Sequence, residues 1–262
     1  MACFWVQRRF VLGASAACAM LVAMAKPVRA DAFVEKPGEG KIILLSTFDR
    51  ADQYWTRDGR LIPIAQYKKF SLSAFTEYGV DTKTTLIGRA EVGRLDDLNG
   101  VETQLAGAIG VRRLLFDGGA LRVAAQAVVS AGEGLEGMPM RSTGAALEVR
   151  LAVARTFSIA QRTAFIEVSA GPRVVVGDAR GLRLDATFGL KPAEKWLLLL
   201  QGFNRFNEAG PFGDRARSHK VQASVVYDLT QKWSLIGGVF ATVAARAERR
   251  QQGILAGAQR RF

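Results

Sequence analysis

The sequence has only two cysteines, Cys3 and Cys18, and none after position 18. The rest of the chain therefore has no thiol, no disulfide and no cysteine-based zinc site. Histidine is nearly absent too: His219 is the only one. Long apolar runs are missing beyond residue 30, where the longest is five residues, Trp196–Leu200. A helical membrane span needs about 20 apolar residues, so any crossing must be made by strands. Acidic residues are the scarcer charge, 24 against 36 basic ones, for a net charge of +12 and pI ≈ 10.2. That balance alone suggests nucleic acid. The basic residues are dispersed along the whole chain and do not form one patch, which argues for no nucleic-acid partner.

The first thirty residues read as a cleaved signal peptide. MACFWVQRRF carries Arg8 and Arg9, VLGASAACAMLVAMA is a short apolar core, and Val28 and Ala30 are small residues placed for cleavage after Ala30. The Arg8-Arg9 pair is an ordinary basic n-region, because a membrane barrel must cross the inner membrane unfolded by Sec-type export, whereas twin-arginine signals carry folded proteins. Cys18 lacks the leucine of a lipoprotein signal. Cleavage takes Arg8, Arg9, Lys26 and Arg29 and no acid, leaving +8. It also removes both cysteines, which suits a Gram-negative envelope protein. The expected organisation is signal peptide 1–30, a periplasmic N-terminal segment 31–40 and a β-barrel 41–262.

What the chain has in abundance is two-residue alternation. In FSLSAFTEYGV (70–80), Phe70, Leu72, Ala74, Thr76 and Tyr78 share one face, opposite Ser71, Ser73, Phe75 and Glu77. Residues 84–95 set Leu86, Ala90 and Val92 against Arg89 and Glu91. Residues 101–113 set Leu105, Ile109 and Val111 against Glu102, Gln104 and Arg112. The pattern recurs over 120–130, 145–154, 162–171, 181–191 and 220–229. It is less clean over 196–206 and 233–243. With 41–48 and 253–262 this makes twelve strands, an all-β, transmembrane, up-and-down antiparallel barrel.

Connections alternate in length. Short turns are expected near 80–83, 115–119, 155–158, 192–195 and 229–232. Longer loops are expected at 50–66, 131–141, 172–180 and 206–217, with 96–100 and 244–249 of modest length. A soluble barrel or sandwich would bury the apolar face inward and needs no such alternation. Tyr78, Phe116, Phe157, Trp196, Tyr227, Trp233 and Phe262 gather at the short-turn ends, as an interfacial girdle does. With both termini at that rim, the short turns face the periplasm.

The stretch FTEYGVDTKTTL (75–86), in which a strand ends in Glu-Tyr-Gly and turns through an Asp into Thr-Leu, resembles a segment of bacterial outer-membrane barrels. It is similar to the meta-pathway phenol-degradation outer-membrane family. That resemblance implies a porin-like or uptake role for hydrophobic or aromatic compounds. The terminal Phe262, with Ala258, Ala256 and Ile254 alternating behind it, resembles the assembly signal read by the barrel-assembly machinery; Arg260 departs from that pattern.

Catalytic chemistry is not expected. His219 adjoins Ser218, but neighbouring strand residues point to opposite faces, so the imidazole does not reach the hydroxyl proton. GEGLEG (132–137) lacks the Lys-Ser/Thr of a phosphate loop. Asp96, Asp97, Glu133, Glu136, Asp178 and Asp214 read as solvated loop charge, so no metal or other cofactor is expected. The candidate lumen-lining residues are Glu77, Arg89, Glu91, Glu102, Arg112, Arg122, Glu148, Arg150, Glu167, Arg183 and Asp185. They either pair and solidify the interior or form a selective charge ladder in a water-filled constriction.

The expected function is a small porin-like channel or uptake barrel for small solutes. The alternative is a closed barrel whose loops, chiefly 50–66 and 206–217, bind a ligand or partner. A more remote one is a lipid-modifying enzyme. The expected partners are outer-membrane lipids and lipopolysaccharide, and the assembly machinery during biogenesis.

Overall fold

The structure is a computed structural model that describes residues 34–97, 100–132, 144–176, 180–209 and 215–262. The signal-peptide reading of 1–30, most of the 131–141 loop, and Glu133, Glu136, Asp178 and Asp214 lie outside the described residues. No helix among the described residues is long and apolar enough to cross a membrane.

Twelve long strands dominate: β1 Gly40–Trp55, β2 Leu61–Gly79, β3 Thr84–Asp97, β4 Gly100–Asp117, β5 Leu121–Gly132, β6 Ala145–Ile159, β7 Arg162–Val175, β8 Arg180–Ala193, β9 Trp196–Ala209, β10 Arg215–Asp228, β11 Trp233–Arg246 and β13 Gln252–Arg261, with a two-residue strand β12, Glu248–Arg249. Each long strand from β2 to β11 pairs antiparallel with its neighbours in sequence, β11 pairs with β13, and β13 pairs with β1. The β1–β2 ladder closes the circle. Closure leaves no unpaired edge for lipid to solvate.

The β1–β13 seam, paired from Lys41–Arg261 to Arg50–Gln252, extends to the C-terminal residue. Phe262 N–H donates to the Gly40 carbonyl at 3.0 Å, and Gly40 N–H donates to the Phe262 carbonyl at 2.9 Å. A Cβ at Gly40 would lie 2.8 Å from the Phe262 ring and 2.6 Å from the Glu77 carbonyl, so the last aromatic ring packs where only glycine leaves room.

The alternation resolves into two faces. Outward rows such as Leu105, Ile109 and Val111 on β4 or Leu198 and Leu200 on β9 are exposed. A continuous exposed apolar surface of this extent is unstable in water and suits lipid. Tyr78, Phe116, Trp196, Trp233 and Phe262 are exposed at the short-turn end, where the Trp196 and Tyr227 rings pack at a tilt with centroids 4.7 Å apart.

Two boundary expectations need correction. Residues 155–158 are strand; the turn is Ala160–Gln161, both with positive φ (46° and 63°). This has the form of a two-residue hairpin turn made without the Gly or Asn that usually announces one. The expected long loops at 50–66, 172–180 and 206–217 shrink, because strands run to Trp55, Val175 and Ala209 and resume at Leu61, Arg180 and Arg215. Continued ladder pairing above the apolar belt satisfies backbone groups that a loop would leave to water.

Candidate functional site

The interior is divided lengthwise into a filled half and an open half. On the filled side, Glu77 of β2 accepts from Lys41 at 2.6 Å and from Arg112 of β4 at 2.9 Å. Arg112 also donates from Nε to Gln126 at 3.0 Å. Further round, Arg150 of β6 is bound by Glu148 and by Asp185 of β8, and Arg183 reaches Glu148 at 3.4 Å. Glu167 of β7 faces the same interior between these groups and forms no ion pair among the described residues. The charges other than Glu167 satisfy one another, mostly across strands, as charges withdrawn from bulk water do.

The N-terminal segment adds to this packing. Val34 packs against the inward Ala124, Ala152 and Ala154. Glu35 N–H donates to the Thr85 hydroxyl at 2.9 Å, and the Glu35 carboxylate pairs with Lys41 at 2.9 Å. The described part of the 31–40 stretch is thus tucked into the short-turn end of the barrel.

The open side is a cavity of about 560 Å³ between β1–β4 and β9–β13. Its wall is apolar to a degree that the alternation did not announce: Ile43, Leu45, Phe75, Leu197, Leu199, Phe203, Val226, Ile236, Phe240 and Leu255 all line it. The signal was present in the sequence as the untidy patterns of 196–206 and 233–243, where apolar residues occupy both faces. Among the charged lining residues, Lys69, Arg89, Arg205, Lys220, Arg249 and Arg261 outnumber Asp49, Glu91 and Glu248.

The sequence-identified residues divide between the two halves and the ends. Arg89 and Glu91 border the cavity, paired at 2.7 Å, with Lys69 also on Glu91 at 3.1 Å. Arg122 pairs with Asp117 at 3.3 Å near the short turns. Glu102 stands half-buried near the opposite end of β4. Phe262 closes the seam.

Sequence reasoning missed the inward turn at the outer mouth. Past β11 the chain turns at Ala247 (φ 51°), fully buried, and β12 pairs with the top of β1. This carries Glu248 and Arg249 into the mouth, both 7% exposed. Glu248 accepts from Arg205 of β9 at 3.2 Å. Arg249 lies over the Tyr67 ring at 4.4 Å and pairs with Asp97 at 3.6 Å. No periodicity marks an inward-folded loop of this length.

The Ser218–His219 neighbours diverge. Ser218 faces inward, 2% exposed, and its hydroxyl accepts from Arg205 Nε at 3.0 Å. His219 faces outward and bonds Asn204.

Comparison with solved structures agrees with this architecture. An outer membrane channel from Pseudomonas putida F1 is similar over 90% of this chain and 100% of its own, with 11% identity and a TM-score of 0.68. The fold is that of an outer-membrane β-barrel. The KdgM porin, solved in complex with disordered oligogalacturonate, is similar over 84% of this chain and 99% of its own, at 8% identity and a TM-score of 0.54. The β domain of the Bordetella autotransporter BrkA covers 86% of this chain and 100% of its own, at 14% identity and a TM-score of 0.50. No family model matches the sequence, and no curated protein sequence matches it.

Proposed function

We propose that this protein is an outer-membrane channel that admits small solutes passively along the open half of its lumen, without catalysing a reaction. The observation that carries this is the two-sided interior. The filled half stiffens the barrel, and the open half offers an apolar wall beside an excess of cationic side chains. A solute with an apolar body and a carboxylate suits both surfaces: the wall removes its hydrocarbon from water, while Lys220, Arg205 and Arg261 attract its charge.

Several findings support parts of this reading. The outward apolar belt with its aromatic rim fits a bilayer, and likeness to channel and porin folds fits a solute path. The resemblance of FTEYGVDTKTTL to the phenol-degradation outer-membrane family supports aromatic solutes in particular. The divergence of Ser218 and His219 supports a role without hydrolysis, since a base must reach its nucleophile.

Reconstitution into planar bilayers tests the reading. Discrete conductance steps are expected, reduced by a small aromatic carboxylate such as benzoate as it occupies the apolar wall. A preparation that is heat-modifiable on gels, and therefore folded, yet shows no steps above background would overturn it.

A further inference from the structure

We propose that the outward face of β9–β11, above the apolar belt, holds a phosphate of an acylated, phosphorylated glycolipid of the outer leaflet. This rests on the outer-membrane placement proposed above. The outward row of β10 reads Tyr227, Val225, Ala223 and Val221, and then changes to His219, Arg217 and Arg215. The six residue rises from Tyr227 to Val221 span about 20 Å, so the change falls near the upper edge of a bilayer core.

A relay of side chains fixes Arg217 there. Asn204 Nδ2 donates to the Leu184 carbonyl at 2.7 Å, and Asn204 Oδ1 lies 2.6 Å from His219 Nδ1. Arg217 Nε donates to His219 Nε2 at 3.1 Å, so Nε2 is the acceptor and Nδ1 carries the ring proton toward Asn204. The Arg217 guanidinium also lies 5.2 Å from the centre of the Phe206 ring. Nε and one face are thereby committed, while the two terminal nitrogens form no hydrogen bond or ion pair among the described residues.

Directly across the ladder from Arg217 is Arg246, also exposed. Arg246 reaches toward the β1–β2 turn, its Nε 4.0 Å from where a Gly59 Cβ would lie and with Asp58 close by, so Arg217 carries the anion site and Arg246 flanks it as a second cation on the same sheet face. A phosphate takes two forked guanidinium groups better than a single carboxylate does. Below the pair, Val221, Val239 and Val243 are exposed on the same side and give acyl chains an apolar surface. An anionic head above and hydrocarbon below define the ligand's chemistry.

The test is native mass spectrometry of the full barrel refolded in detergent. The probes are hexa-acyl bis-phosphorylated lipid A, its dephosphorylated form and phosphatidylglycerol. Lipid A adducts are expected on the unchanged protein, about tenfold weaker in R217Q/R246Q through loss of charge-assisted bonds, and unchanged in R155Q at the other rim. Equal lipid A binding by R217Q/R246Q, or equal binding of either comparison lipid, overturns the site. If the double variant lacks the heat-modifiable band, His219→Phe carries the test. It keeps a ring beside Phe206 but removes the acceptor that orients Arg217 and the bond to Asn204, so an about threefold loss is expected and no loss overturns the site. Membrane fractionation reports separately on placement: a soluble, heat-insensitive chain refutes the barrel reading, whereas an inserted barrel indifferent to lipid A refutes the site alone.

Discussion

Glu77 has two cationic partners, Lys41 and Arg112, while only 5% of its side chain meets solvent. Glu77→Ala would take the shared carboxylate from Arg112 and from Lys41, which would keep Glu35, in the filled half of the lumen. The expected loss is about 3 kcal/mol, the scale for removing one member of a buried ionic cluster. Urea unfolding in detergent micelles, followed by loss of the heat-modifiable band, reads this directly; a midpoint equal to the unchanged protein would contradict the packing. Asp81 works differently, in the exposed β2–β3 turn, where the Lys83 N–H donates to its carboxylate at 2.7 Å. That backbone bond, helped by Thr84, holds the Asp81 pKa below its ordinary 3.8. A lowered folded-state value means that the stabilisation is present above 3.8 and is lost as pH falls through the folded-state value. Asp81→Asn should therefore speed unfolding at neutral and higher pH, where the ionised carboxylate stabilises the turn, and flatten the acid limb where pH falls through the folded-state value; unfolding kinetics compared at pH 9 and in acid read both. At this scale the sequence was legible wherever one residue's face decided the matter, as for Ser218 and His219. It was silent on partners, because Arg112 and Glu77 lie 35 residues apart and meet only through barrel curvature.

Along β9 the two faces can be set against one another. Leu200 faces outward and is 57% exposed, whereas Phe203, on the inward phase, lines the cavity. Leu200→Arg would place a cation in mid-bilayer lipid at a cost of about 2–4 kcal/mol, while Phe203→Arg would place it in the lumen at much less. Refolding yield into vesicles should fall sharply for the first variant only; equal losses would refute the assigned faces. β9 also explains what could be read beforehand. Strands with one polar face, such as β4 and β6, declared their orientation. β1, β9 and β11 carry apolar residues on both faces because one meets lipid and the other the open cavity, so period alone blurred. The same element scale accounts for the misplaced turn after β6: Ala160 and Gln161 adopt positive φ with no residue-type signal, so the strand runs past its apparent end. Strands β1 and β2 likewise run beyond the belt because paired backbone continues to satisfy itself in water.

Across the whole barrel, charge and shape act together. The N-terminal segment and the ionic clusters fill the interior along β4–β8 and at the short-turn ends of β1 and β2, so a solute is confined to the space between β1–β4 and β9–β13. Six cationic and three acidic side chains border that path, and although Asp97 and Asp228 just outside it pair with Arg249 and Arg261, a positive excess is left that attracts anions more than cations. In a potassium chloride gradient the reversal potential should show chloride preference, moving toward zero in R205Q/K220Q and with rising salt as the charges are screened. A cation preference in the unchanged protein would refute this account of the path. The inward turn at the outer mouth sets a second, separable property. Glu248 and Arg249 enter the mouth only because Ala247 turns the chain inward and β12 docks on β1, and they are tied by Arg205, Asp97 and Tyr67. Removing the Arg249 side chain takes bulk and one positive charge from the mouth while leaving the β12 backbone pairing in place. Arg249→Ala is therefore expected to enlarge the single-channel step and to lower chloride preference less than R205Q/K220Q does. Should the step stay unchanged while selectivity shifts, Arg249 would be part of the field but not of the constriction, and the limiting aperture would lie lower, between Arg261 and the apolar wall.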